Sequence, residues 1–159
     1  MSLRKYFVSW DSTALTAATA KTIIELPTIA NMDYEIVELV IGSDASTAGN
    51  LKIEFGKFTT TGTGTAVAQA DVQQFSGGDP AIDSTATALK IKDTVEPTGF
   101  TNVAINNALY PSLLIPLPMY FPFQWPLNEG FVIPESTNFG IRLTSSITTN
   151  TAGWVAWKE

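Results

Sequence analysis

The 159-residue chain is 45% hydrophobic and only 15% charged, with a net charge of -6 at pH 7 and a pI near 4.5. It contains neither cysteine nor histidine, which excludes disulfides, thiolate nucleophiles and every catalytic or metal site that depends on histidine. Its acidic balance disfavours direct contact with nucleic acid, because phosphate binding needs clustered Lys and Arg. We therefore expect no enzymatic activity, no cofactor and no metal.

The first half of the chain predicts short strands separated by turns. Strands are expected over Leu3–Trp10, Thr22–Leu26 and Asp33–Ile41, and over 51–55, where apolar and charged residues alternate. Ala14–Lys21 is the single helix candidate, and its threonines give it a low helix propensity.

A polar excursion and further short strands follow. Residues 59–85, which include the run Thr-Gly-Thr-Gly-Thr, predict a long surface loop or hairpin. The run lacks the Lys-Ser/Thr of a phosphate-binding loop. Beyond the excursion, short runs rich in apolar residues predict strands over 89–92, 101–105, 131–133, 139–143 and 154–157.

Residues 109–127 are the most informative segment. From 113 to 127 every odd position is large and apolar, a period of two that is typical of extended chain with one buried face. Successive backbone N–H groups of a strand point to opposite lateral sides, so prolines at even positions remove donors from one side only. This predicts an edge strand or a docking arm. At about 3.3 Å per residue the segment is too long for one ordinary strand, so two strands, or one strand and an arm, are expected.

These patterns predict an all-β fold. We expect a single domain over 1–159, an antiparallel β-sandwich of jelly-roll type with about eight to ten strands and an extended Pro-rich edge. The first and last strands both carry tryptophan and are expected to lie near each other. The uncharged stretch from 97 to 128 does not predict a membrane span, because the five prolines between 111 and 126 forbid a regular helix.

The candidate functional residues are aromatic and apolar. Aromatic side chains are enriched at the centres of protein interfaces, so an interface is favoured over a sugar-binding platform. The hypothesis is that residues 113–127 pack against a copy of the chain or an adjacent subunit. The predicted interface residues are Leu117, Met119, Tyr120, Phe121, Phe123, Trp125, Leu127, Trp154 and Trp157.

The order of segments resembles a known class of protein. An N-terminal strand, an Ala/Thr segment over 13–22, the Thr-Gly-Thr-Gly-Thr excursion, the Pro/aromatic stretch and the strand Phe-Gly-Ile-Arg-Leu follow one another. Together they resemble small β-sandwich structural proteins of tailed bacteriophage virions, especially capsid decoration (cement) proteins. The resemblance implies a homo-oligomer, most plausibly a trimer, on the capsid exterior, bound to the major capsid protein. It carries over no catalytic residue.

Two other classes remain open. One is a carbohydrate- or receptor-binding module of a phage fibre or tail, which would use exposed tryptophan and the 59–85 loop. The other is a small jelly-roll coat subunit in its own right.

Overall fold

The computed structural model of the chain describes residues 5–26, 33–68, 71–74, 89–102, 104–105, 108–109, 112–125, 131–134 and 137–158. Within these residues the regular structure consists of fifteen strands and contains no α-helix. The longer strands are β1 (Lys5–Leu15), β2 (Ala20–Leu26), β3 (Tyr34–Ser43), β4 (Gly49–Lys57), β7 (Lys90–Val95), β11 (Leu113–Leu117), β12 (Tyr120–Gln124), β14 (Phe139–Ser145) and β15 (Thr149–Lys158). The shorter strands are β5 (Thr63–Ala66), β6 (Gln73–Gln74), β8 (Thr101–Asn102), β9 (Ala104–Ile105), β10 (Ala108–Leu109) and β13 (Phe131–Ile133).

The strands form two main sheets in which the pairings are antiparallel. Sheet A has the order β12-β3-β15-β1-β6, and β13 pairs with β3 beyond the end of β12. Sheet B has the order β11-β4-β14-β2-β7-β5, and β8 pairs with β4. Strands β9 and β10 pair with each other.

The connectivity is that of a jelly roll. When β5–β10 and β13 are set aside, eight strands remain, and successive strands alternate between the two sheets except at β4 and β11, which are neighbours in sheet B. Strands β1, β3, β12 and β15 lie in sheet A, and β2, β4, β11 and β14 lie in sheet B. This order is the eight-stranded, double-Greek-key arrangement. The predicted all-β sandwich is therefore confirmed.

One local prediction was wrong and another was incomplete. Ala14–Lys21 is not a helix: it is the end of β1, a turn over 16–19 and the start of β2. Strand pairing with β15 and β14 overrides any helical preference there, and Ala18 adopts a φ of 58° in the turn. Residues 59–85 were predicted to form a surface loop or hairpin, but the described residues there include β5 and β6, and β5, which begins within the Gly/Thr run, pairs with β7.

The core lies between the two sheets. It contains the inward side chains of both, among them Tyr6, Leu39, Ile53, Phe139 and Val155, each at most 3% exposed. Strands β1 and β15 are neighbours in sheet A, with Ser9 opposite Trp154, as the two tryptophan-bearing ends of the sequence predicted. Burial of this apolar area is the main term that stabilises such a sandwich.

Four short connections meet at one end of the sandwich. They join β1 to β2, β3 to β4, β11 to β12 and β14 to β15. Hydrogen bonds tie them together: the Ala18 amide donates to the Ser145 carbonyl at 2.7 Å, and the Ser43 amide donates to the Met119 carbonyl at 3.2 Å. We call this the loop end.

Candidate functional site

One continuous segment closes one side of the sandwich. The predicted split of 113–127 into two strands is confirmed: β11 lies at the edge of sheet B and β12 at the edge of sheet A. Only Pro118 and Met119 separate the two strands, so the chain passes directly from one sheet edge to the other. We call the outward side of 112–125, together with β13, the edge surface.

The period of two in the sequence correctly predicts which of these side chains are buried and which are exposed. Ile115 and Leu117 of β11 are buried, whereas Leu114, immediately before Ile115, is 66% exposed. In β12, Phe121 and Phe123 pack against the core, whereas Tyr120 is 62% exposed. The segment therefore contributes one face to the core and presents the other to its surroundings.

Prolines remove backbone donors from the unpaired side of both edge strands. The Trp125 amide donates to the Val37 carbonyl at 3.0 Å, so odd residues of β12 face β3 and Pro122 faces outward. Pro116 lies opposite Asn50, whose carbonyl accepts the Ser146 amide on its other side at 2.9 Å, so Pro116 also faces outward. Neither proline can donate to an added strand, which prevents open-ended strand pairing at this edge.

A row of aromatic rings runs inward from the edge surface. Phe121 and Phe123 are stacked, with ring centroids 5.9 Å apart and an interplanar angle of 15°. Phe123 meets Trp125 edge-on at 4.5 Å, and Trp125 meets Phe55 of β4 edge-on at 5.9 Å. Because Trp125 is anchored in the core, the half-buried rings in front of it are held in fixed positions.

Three predicted interface residues belong to the core of the subunit. Leu117 is 4% exposed, Trp125 is 6% exposed and Trp157 is 2% exposed, so none of them offers surface to a partner. Alternation indicated correctly that they are buried, but their partner is the opposite sheet of the same chain. The interface assignment for these three is therefore corrected.

The remaining predicted residues lie in different places. Met119, Phe121 and Phe123 are half-buried along the edge, and Tyr120 is exposed. Trp154 is half-buried on β15, which is flanked by β3 and β1 in sheet A, away from the edge. Leu127 lies outside the described residues. The prediction missed Leu114, and also Val132 of β13, which is 52% exposed.

A buried acidic pair forms a second feature, which the sequence reasoning missed. Glu25 of β2 and Asp93 of β7 are 1% and 2% exposed. Glu25 Oε1 accepts the Gly62 amide at 2.6 Å, and Lys90 Nζ lies 3.6 Å from Glu25 Oε2. Neither Asp93 oxygen has a hydrogen-bond donor among the described residues when both carboxyls are ionised.

The glycines of the Gly/Thr run make room for this pair. A Cβ at Gly64 would lie 2.2 Å from Asp93 Oδ1, and a Cβ at Gly62 would lie 2.6 Å from Asp93 Oδ2. Burial, then the hydrogen bond and the charge of Glu25, raise the pKa of Asp93 to about 8. Asp93 is therefore protonated at neutral pH and can donate to Glu25. Nothing in a single sequence indicated that β5 would pair with β7 and bring these groups together.

In the described part of the chain, no group of three or more acidic residues is placed to hold a metal ion. No helix of that part is long and apolar enough to cross a membrane. Comparison with protein-family models, curated proteins and solved structures found no match. Function must therefore be argued from the edge surface and the fold.

Proposed function

We propose that the protein is a non-enzymatic structural subunit of a virion, of the capsid decoration type. It would oligomerise and stabilise a shell by binding adjacent capsid subunits through its edge surface. The observation that carries the proposal is the edge itself, where one segment closes both sheets, exposes apolar side chains and is proline-blocked against further strand addition. Such an edge favours a closed assembly of defined size over a growing sheet.

Composition supports this proposal. Charged residues make up 15% of the chain, against about 25% in typical soluble domains. Faces depleted of charge and rich in aromatic residues are typical of interface cores. The exposed members of the edge surface, Leu114, Tyr120 and Val132, have these properties.

The solution mass of the protein tests the proposal. Light scattering across a dilution series is expected to give a stable small oligomer, most plausibly a trimer. Co-sedimentation with shells assembled from a capsid protein would then test the second half of the proposal. A monomer at every concentration that also fails to bind such shells would contradict it.

A coat subunit is the second candidate, and the strand order favours it. The eight-stranded jelly roll is an architecture used by viral coat proteins. Fold alone does not establish function, so the discriminating observation is electron microscopy of the isolated protein. Closed shells would favour a coat subunit, and discrete small oligomers would favour decoration.

A double substitution on the edge surface tests where the subunits meet. Leu114→Glu with Val132→Glu is expected to shift the scattering mass to that of a monomer, with at least a tenfold weaker association, about 1.4 kcal/mol or more. Both side chains are more than half exposed, so the unfolding temperature of the monomer should change little.

Val95→Glu is the matched control for that variant. Val95 is 60% exposed, but it lies at the end of β7, which three strands separate from β11 in the order of sheet B. Its replacement should leave the mass unchanged. If the control dissociates the oligomer and the double variant does not, the subunits meet at the β5–β7 edge and the assignment is wrong.

A further inference from the structure

A shallow groove lies next to the loop end, on the outer face of sheet A. Its volume is about 290 Å³, and its lining comes from three neighbouring strands and the connection after β3. Gly42 of β3 and Ala152 of β15 are directly paired and contribute almost no side chain. A flat strip of backbone is therefore left uncovered between larger neighbours, and it forms the floor of the groove.

The two sides of the floor have different chemistry. Tyr120, 62% exposed, is paired with Gly42 on the side away from Ala152, and its Cδ2 lies 3.9 Å from the position of a Gly42 Cβ. The phenol ring therefore lies beside Gly42, next to the residues that line the groove. On the other side, the register of β1 against β15 shifts between Trp10 and Thr13. Ser12 lies within this irregular stretch and lines the groove.

A fixed carboxylate closes the end of the groove. Asp44 Oδ1 accepts the Asn150 amide at 2.7 Å and the Thr149 hydroxyl at 3.0 Å, and Oδ2 accepts Asn150 Nδ2 at 2.7 Å. Asp44 is exposed, so the unused lone pairs of its oxygens face solvent. The hydrogen bonds from Asn150, with that from Thr149, hold the pKa of Asp44 below its ordinary value. The groove therefore presents a carboxylate acceptor that three hydrogen bonds hold in a fixed orientation.

From this arrangement we propose that the groove binds one pyranose unit of a neutral saccharide. A pyranose has an apolar C–H face, which suits the Gly42–Ala152 floor and the Tyr120 ring, and a rim of hydroxyls. Those hydroxyls can donate to Asp44 and exchange hydrogen bonds with Ser12 and the Asn150 amide group. The volume lies at the lower end of the range for small-molecule sites, which fits one sugar ring and no larger ligand.

The experiment is a titration of isotope-labelled protein with methyl glycosides of glucose, galactose, mannose and N-acetylglucosamine, one at a time. At least one is expected to shift the amide signals of Gly42, Asn150 and Ala152 saturably, with a dissociation constant on the order of 1 mM. Tetramethylammonium is the comparison probe, because a lone carboxylate beside an aromatic ring also suits a cation. If no glycoside binds, or if the cation binds and the glycosides do not, the proposal is overturned.

Gly42→Val is the decisive variant. A Cβ at Gly42 meets its nearest atoms at 3.8 and 3.9 Å, which is ordinary contact, so the strand has room for a Cβ there, and valine, which suits a strand, is expected to fill the groove. Glycoside binding is expected to weaken at least about tenfold while the fold is unchanged. Ser9→Val, at an exposed β1 position that does not line the groove, is the matched control and should bind as the wild type does. Unchanged affinity in Gly42→Val would overturn the proposal.

The groove and the edge surface share only Tyr120, so their tests are independent. The Leu114→Glu/Val132→Glu variant is expected to retain glycoside binding whatever its oligomeric state, because neither residue lines the groove.

Discussion

Replacing Asp93 with asparagine is expected to remove most of the pH dependence of stability between about pH 5 and pH 8. The folded pKa of Asp93 is raised to about 8, so the folded chain keeps a proton that the unfolded chain loses near pH 4. The contribution of this group is therefore fully present below about pH 4 and is lost progressively up to about pH 8. Over that window the free energy of unfolding falls by up to about 1.4 kcal/mol per pH unit.

The composition of the chain leaves few other groups that titrate in this pH range. The chain has no histidine, so no side chain with an ordinary pKa titrates between the carboxylates and the lysines. The groups that face Asp93 are Glu25, Glu96 and Lys90. Glu96 is already bound to Thr22, whose amide and hydroxyl donate to its two oxygens at 2.6 Å each.

Urea unfolding at a series of pH values measures the effect. Asp93→Asn keeps a neutral donor towards Glu25, so it should match the wild type near pH 4 and exceed it by several kcal/mol at pH 8 and above, an order-of-magnitude expectation. Asp71→Asn, at an exposed carboxyl, is the control and should follow the wild-type curve. Parallel curves for the wild type and Asp93→Asn would show that Asp93 does not carry the proton.

The parts of the fold that the sequence predicted are those with apolar runs or alternation bounded by turn residues. Strand β13, a short apolar run, was predicted with its observed bounds. For 113–127, where apolar residues recur with a period of two, the prediction was two strands or one strand and an arm, and the structure has two strands. In both cases the local sequence favours an extended conformation regardless of which strand lies alongside. The jelly roll followed from the number and spacing of such strands.

Pairing between distant segments was not predictable in the same way. The region of the Gly/Thr run was expected to be a surface loop or hairpin, but β5 pairs with β7, about thirty residues later in the chain, and Asp93 of β7 lies against Gly62 and Gly64. Likewise, alternation identified Trp125 as apolar-facing but not that Phe55 of sheet B lies beneath it. Local patterns give the direction of a side chain, and only the fold gives its neighbour.

The groove shows a third case, in which a glycine matters because it has no side chain. Gly42 and Gly153 occupy neighbouring strands, and nothing in the sequence separates their roles. In the fold, Gly42 leaves an outer surface open, whereas Gly153 lies beneath Trp10. Glycine therefore leaves room for a surface groove at position 42, and it allows Trp10 to pack closely at position 153.

Gly153→Ala is accordingly expected to destabilise the protein by about 3 kcal/mol, the upper part of the usual range for overpacking a core. A Cβ there would lie 2.0 Å from the Val40 carbonyl oxygen and 2.8 Å from Trp10 Cζ2. The first contact is with backbone of the neighbouring strand, so β3 and β15 must separate locally. For a domain of this size the unfolding temperature should fall by roughly 6–12 °C.

Gly42→Ala is the matched control, since its Cβ meets no atom closer than 3.8 Å. Its stability should be unchanged or higher by up to about 1 kcal/mol, because alanine reduces the entropy of the unfolded chain. Trp10→Phe in the Gly153→Ala background removes the ring atoms nearest the new methyl group, so a double-mutant cycle should show favourable coupling between the two substitutions. Equal stability of Gly153→Ala and Gly42→Ala would contradict the close packing of Trp10 over β15.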